Sequence, residues 1–200
     1  MNELNFFSKR VFFTTREFAF AIGVASPTAS RKLRRMDASG DISNVTRGIW
    51  CQPHHPFFSP FGGVPYLLGN EHGYISFLTA LHRHGIISQI PRVIQVATTG
   101  HGRNLSSAIG EYEFFHIQPS LMRDGVESNA GKLQYNIASA EKAMVDTVYL
   151  STRKNCRFAR LPEVDIEQID RIALKKMVTQ YSPSVQKLVM PRIDKILSHR

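Results

Sequence analysis

Residues 26–38 read Ser26-Pro27-Thr28-Ala29-Ser30-Arg31-Lys32-Leu33-Arg34-Arg35-Met36-Asp37-Ala38. At about 100° per residue, Ala29, Leu33 and Met36 fall on one side of a helix and form an apolar stripe. Pro27, Arg31, Arg34 and Arg35 project from the opposite side, with Thr28 beside them and Lys32 and Ser30 on the two flanks. The stretch from Arg31 to Arg35 is cationic at every position except Leu33, which falls where a core needs an apolar residue. Ser26 is expected to cap this helix, with Pro27 at its first position, where a missing N–H costs nothing. The helix is expected to end at Ser39-Gly40.

The neighbouring sequence gives this helix a context. Upstream, Thr14 or Thr15 can cap a first helix running through Glu17, Phe18, Ala19, Ala21 and Ile22, and Gly23 can stop it. Downstream, Ile42-Ser43-Asn44-Val45 and Ile49-Trp50-Cys51 flank a turn at Thr46-Arg47-Gly48, a hairpin pattern. Helix, tight turn, helix and hairpin is the order of a winged helix-turn-helix, whose second helix lies in the DNA major groove. On that expectation Thr28, Arg31, Arg34 and Arg35 face the groove, Lys32 and Arg47 meet phosphates, and Ser30 on the flank is counted with the DNA-binding residues. Thr15 and Ser26, as helix caps, would add phosphate contacts at helix starts.

Charge agrees with this assignment. The chain has 200 residues, a net charge of +9 and a pI near 9.8, which points to a polyanionic partner. Residues 1–52 carry eight Lys or Arg against four acids, and the other 148 carry seventeen against twelve. The excess is therefore denser in the proposed DNA module, which favours nucleic acid over a membrane surface. No run approaches the roughly 18 apolar residues of a membrane span. Met1–Arg10 has no apolar run followed by small residues, so no secretory leader is expected. Cys51 and Cys156 are too few for a disulfide framework and are expected to be reduced thiols in a cytoplasmic protein.

The expected fold class is α+β: a winged helix-turn-helix at 1–52, a connector at 53–72 and a mixed α/β domain at 73–200. The connector is rich in Pro and Gly, but Phe57, Phe58, Phe61 and Tyr66 imply that it packs against something. In the second domain the patterning predicts a helix over 74–84 and strands at 93–97, 111–117 and 133–137, with a polar turn at 100–104. A helix over 140–150 capped by Ser139 should follow, then helices over 166–181 and 185–197.

These residues resemble the AbiEi family of antitoxins from bacterial abortive-infection (type IV toxin–antitoxin) systems. The likeness lies in Val11-Phe12-Phe13-Thr14-Thr15-Arg16-Glu17, Ser30-Arg31-Lys32-Leu33-Arg34-Arg35-Met36 and Arg47-Gly48-Ile49-Trp50. It continues in Tyr74-Ile75-Ser76-Phe77-Leu78-Thr79-Ala80-Leu81-His82, Gly85-Ile86-Ile87, Ile90-Pro91 and Tyr112-Glu113-Phe114. Ile137-Ala138-Ser139-Ala140-Glu141-Lys142-Ala143-Met144-Val145-Asp146 completes it. The resemblance implies a two-part antitoxin that is not an enzyme. Its N-terminal domain would repress its own operon at inverted repeats in double-stranded DNA, as a monomer or weak dimer acting cooperatively. Its C-terminal domain would counteract a nucleotidyltransferase-like toxin. A ligand-responsive repressor without a toxin, or a nucleic-acid-modifying enzyme, are the alternatives.

Other constellations are better explained structurally. Ser139 and Lys142 have the Ser-x-x-Lys spacing of a serine nucleophile and its base, yet Ser139 as a helix cap accounts for it. His82 and His84 are two apart, so a helix would point them in different directions. Cys51, His54 and His55 lack an evident fourth ligand for zinc. Gly100-His101-Gly102-Arg103-Asn104 lacks the spacing of a phosphate loop. No cofactor or metal is expected.

Overall fold

A computed structural model of the chain describes residues 3–122, 124–129, 131–153, 158 and 160–198, so Cys156 lies outside the described residues. Among these residues the architecture is α+β, with eight α-helices and two sheets. The chain divides into two compact units. Unit 1 comprises Met1–Asn70 with Leu105–Glu111 and Ala130–Tyr135; unit 2 comprises Glu71–Asn104, Tyr112–Asn129 and Asn136–Arg200.

Unit 1 contains α1 (Glu3–Phe7), β1 (Phe12–Thr14), α2 (Thr15–Ile22), α3 (Ser26–Ala38), β2 (Ser43–Thr46) and β3 (Ile49–Cys51). The strands form an antiparallel sheet in the order β1-β3-β2, with Phe13 opposite Trp50. Phe6, Phe13, Phe18, Ala29, Leu33, Ile42 and Trp50 form its buried core. Phe6 meets Phe13 and Phe18 edge to face, with centroids 5.2 and 5.4 Å away, a favoured aromatic geometry.

Thr14 ends β1 and begins α2. Its Oγ1 accepts from the Glu17 amide at 3.1 Å, while Glu17 Oε2 accepts from the Thr14 amide at 2.6 Å, a reciprocal capping box. Gly23 closes the helix at φ +72°, a conformation that costs glycine little. The start of α3 corrects the sequence reading: the capping position is Ala25, without a side-chain bond, and Ser26 is the first helical residue. The Ala25 carbonyl accepts from the Thr28 and Ala29 amides at 3.0 and 3.1 Å. Pro27 is still within the first turn, where no intrahelical donor is needed.

The Pro/Gly-rich stretch folds into a single 3₁₀ turn, Pro60–Gly63, and a short α4, Val64–Leu68. Phe12 stacks with Phe58 and Tyr66 at 5.8 and 5.9 Å, and the Tyr66 hydroxyl donates to the Phe12 carbonyl at 2.9 Å. Phe58 and Tyr66 thus pack against β1 as expected of this segment's aromatics, whereas Phe61 meets Tyr135 edge to face and Phe57 is exposed.

The second sheet has six strands in the order β6-β7-β5-β4-β9-β8, and most of its residues fall in unit 2. The strands are β4 (Gly73–Ile75), β5 (Ile94–Thr98), β6 (Arg103–Ser107), β7 (Gly110–His116), β8 (Val126–Asn129) and β9 (Tyr135–Ala138). β4 runs antiparallel to β5 and parallel to β9, and β5 is parallel to β7. The helices are α5 (Phe77–Arg83), α6 (Ala140–Ser151), α7 (Arg171–Val178) and α8 (Pro183–Ser198). α6 is the central one: every residue from Lys142 to Ser151 is buried, under α5, α7 and α8.

Two expectations in this unit are corrected. Tyr74 and Ile75 belong to β4, not to a helix, because Tyr74 pairs with Ala97 and Ile75 with both Val96 and Ile137; the helix begins at Phe77. The helix expected over 166–181 is interrupted. Ile166–Gln168 is a single 3₁₀ turn, and Asp170 then caps α7, its Oδ1 accepting from the Ile172 and Ala173 amides at 2.9 and 3.0 Å. No helix among the described residues is long and apolar enough to cross a membrane.

Candidate nucleic-acid interface

α3 separates its two faces as its sequence requires. Ala29 and Leu33 are fully buried in the core of unit 1, with Met36 packed beside them. Thr28, Arg31, Arg34 and Arg35 are exposed, as is Arg47 at the turn between β2 and β3. Among the described residues no hydrogen bond or ion pair holds the side chains of Arg31, Arg34, Arg35 or Arg47. Gly48 makes the turn possible at φ +77°.

A cleft of about 490 Å³ opens between the helix and the hairpin, lined by Thr15, Ser30, Arg34, Asp37, Asn44, Arg47, Gly48 and Trp50. It brings together four residues expected at the interface, Thr15, Ser30, Arg34 and Arg47. Asp37 and Asn44 also line it and were not singled out from the sequence. Asp37 Oδ1 accepts from the Asn44 amide at 3.0 Å, tying the end of α3 to β2. Asn44 Nδ2 donates to the Thr46 and Ile49 carbonyls at 3.1 and 3.3 Å, holding the turn across a register shift. The sequence signal was available: Asn near a hairpin turn bonds local backbone readily.

Two of the expected phosphate contacts have partners within the protein. Thr15 does not cap α2; its Oγ1 accepts from Trp50 Nε1 at 2.8 Å. The Lys32 ammonium pairs with the Glu3 carboxylate of α1. Ser26 is exposed on the first turn of α3.

Several side chains of the other constellations have partners within the protein. Ser139 Oγ accepts from the Lys142 amide at 3.2 Å as the cap of α6. The Lys142 ammonium pairs with Asp146, both buried. Tyr74 and Ser76 each donate to Asp146 Oδ2 at 2.9 Å. Burial, and then the Asp146 charge, push the Tyr74 hydroxyl well above its ordinary pKa. His84 Nε2 lies 2.8 Å from the Ala138 carbonyl and His82 Nδ1 3.3 Å from that of Ile87. Arg103 pairs with both carboxylate oxygens of Glu71, at 3.0 and 2.8 Å, and lies 4.2 Å from the Phe114 centroid. Among the described residues, no three His, Cys, Asp or Glu are grouped to hold a metal.

Comparison with protein-family models finds no match, and comparison with the curated proteins finds none either.

Proposed function

We propose that unit 1 binds double-stranded DNA as a winged helix-turn-helix, with α3 in the major groove and the β2–β3 turn as the wing. One observation carries this reading. Arg31, Arg34, Arg35 and Arg47 stand exposed and without protein partners among the described residues, while the same helix buries Ala29 and Leu33 completely. Arginine suits both duties on such a face, since its planar fork pairs with guanine O6 and N7 and also neutralises phosphate.

The biological role follows from the family resemblance of the quoted motifs. The chain acts in the cytoplasm as a repressor and antitoxin, not as an enzyme. It binds inverted repeats in its own promoter and counteracts a nucleotidyltransferase-like toxin through its C-terminal domain. A gel shift with the chain's own upstream DNA tests the first part. Co-expression with the product of the neighbouring gene, read as rescue of growth, tests the second.

A ligand-responsive repressor is the second reading. It is favoured by a cavity of about 500 Å³ in unit 2, lined by Leu121, Tyr149, Arg153, Tyr181 and Val185 among others. A melting shift of the full chain with small anionic aromatic compounds is the measurement that separates it from the first.

A further inference from the structure

Lys32 differs from its cationic neighbours on α3. Arg31, Arg34 and Arg35 face solvent, whereas the Lys32 ammonium is held by Glu3 on the first helix of the chain. The two side chains remain 42% and 40% exposed. An ion pair this open to water is worth little, so another anion can replace the carboxylate at small cost. Lys32 also sits on the flank of the arginine face, where a duplex docked on α3 would bring its phosphates. There the Glu3 carboxylate offers the ammonium what a phosphate oxygen would: an anionic acceptor.

We infer that Glu3 is a built-in competitor for phosphate, which occupies Lys32 in the free protein and lowers the sequence-independent part of DNA affinity. The inference rests on the DNA-binding reading above. A phosphate that reaches Lys32 must displace a carboxylate, and the displaced carboxylate then lies beside a polyanion. The exchange trades one anion for another, so the salt-dependent gain of a free lysine is largely cancelled. The arginines of α3 carry no such brake. Sequence-independent attraction is thereby held down at a single flank position, and the groove-facing side chains are left as they are.

The salt slope is the readout, because a merely structural role for Glu3 would not move it. Fluorescence anisotropy with a 30-base-pair mixed-sequence duplex, between 50 and 200 mM salt, compares the parent with Glu3→Gln, Glu3→Ala, Lys32→Ala and Glu3→Gln/Lys32→Ala. A phosphate contact contributes about −0.9 to the slope of log K against log salt. Glu3→Gln and Glu3→Ala are expected to steepen the slope by about that amount and to bind more tightly at 50 mM. Their advantage over the parent should shrink about 3.5-fold across the fourfold rise in salt. Lys32→Ala should leave the parent slope nearly unchanged, and removing Glu3 in that background should steepen it much less than it does in the parent. An unchanged slope in both Glu3 variants overturns the inference, as does a gain just as large in the Lys32→Ala background. If none of the five proteins binds the duplex at 50 mM, the DNA-binding reading falls and the inference with it.

Discussion

The indole N–H of Trp50 donates to the hydroxyl oxygen of Thr15 across 2.8 Å. Trp50 is on β3 and almost fully buried, and Thr15 opens α2, so one bond joins the hairpin to the first helix of the pair. Nearby, the Thr15 amide donates to the Gly48 carbonyl at 2.9 Å. Thr15 therefore fixes where the turn carrying Arg47 stands relative to α2.

Thr15→Ala leaves the indole donor buried without its partner. The expected loss is about 1–3 kcal/mol of unfolding free energy, measured by urea titration. Because Thr15 is committed to Trp50, the salt slope of DNA binding should stay at the parent value.

The two helix starts make opposite predictions. Thr14→Ala removes half of a capping box and should cost about 1 kcal/mol. Ser26→Ala removes a hydroxyl with no capping bond and should stay within about 0.5 kcal/mol of the parent. Thermal unfolding of the two variants side by side checks both; equal losses would restore Ser26 as the cap.

In unit 2 the buried Lys142–Asp146 pair, with Tyr74 and Ser76, is costly to break. Asp146→Ala strands a buried ammonium and two hydroxyls, and the expected destabilisation is about 3–5 kcal/mol. Replacing both charges, as Lys142→Met with Asp146→Leu, should recover part of that loss. Denaturant unfolding of the full chain reads both changes.

Burial pushes the Cys51 thiol up to about 11, with Asp37 adding to the effect and the Ser43 backbone opposing it. The folded state thus favours the neutral thiol more than the unfolded state does. This contribution is fully present below about pH 9 and is lost as pH rises through about 11. The stability difference between the parent and Cys51→Ala should be flat at neutral pH and narrow over that alkaline window.

Much of unit 1 was legible because its signals are local. Gly23 stops one helix, Pro27 marks the start of the next, and the spacing of Ala29, Leu33 and Met36 marks its buried side. What escaped depends on distant partners. α1 is five residues long, too short to show a period, and β1 becomes a strand only because β3 lies beside it. Tyr74 and Ile75 fit a helical pattern until pairing with Ala97, Val96 and Ile137 claims them. Within the candidate site, the exposed arginines were readable from periodicity. The Glu3–Lys32 and Thr15–Trp50 pairings were not, since no local rule connects residues so far apart in sequence.

The central claim, that the arginine face of α3 reads DNA, is tested most directly by operator binding of Arg31→Ala and Arg35→Ala. The chain's own upstream DNA is titrated in a gel shift at several salt concentrations, with and without mixed-sequence competitor. The account predicts that the parent keeps a competitor-resistant complex and that at least one variant loses about 1–3 kcal/mol of specific affinity. Parent-like binding by both variants, or a parent complex that competitor abolishes at every salt concentration, would contradict it.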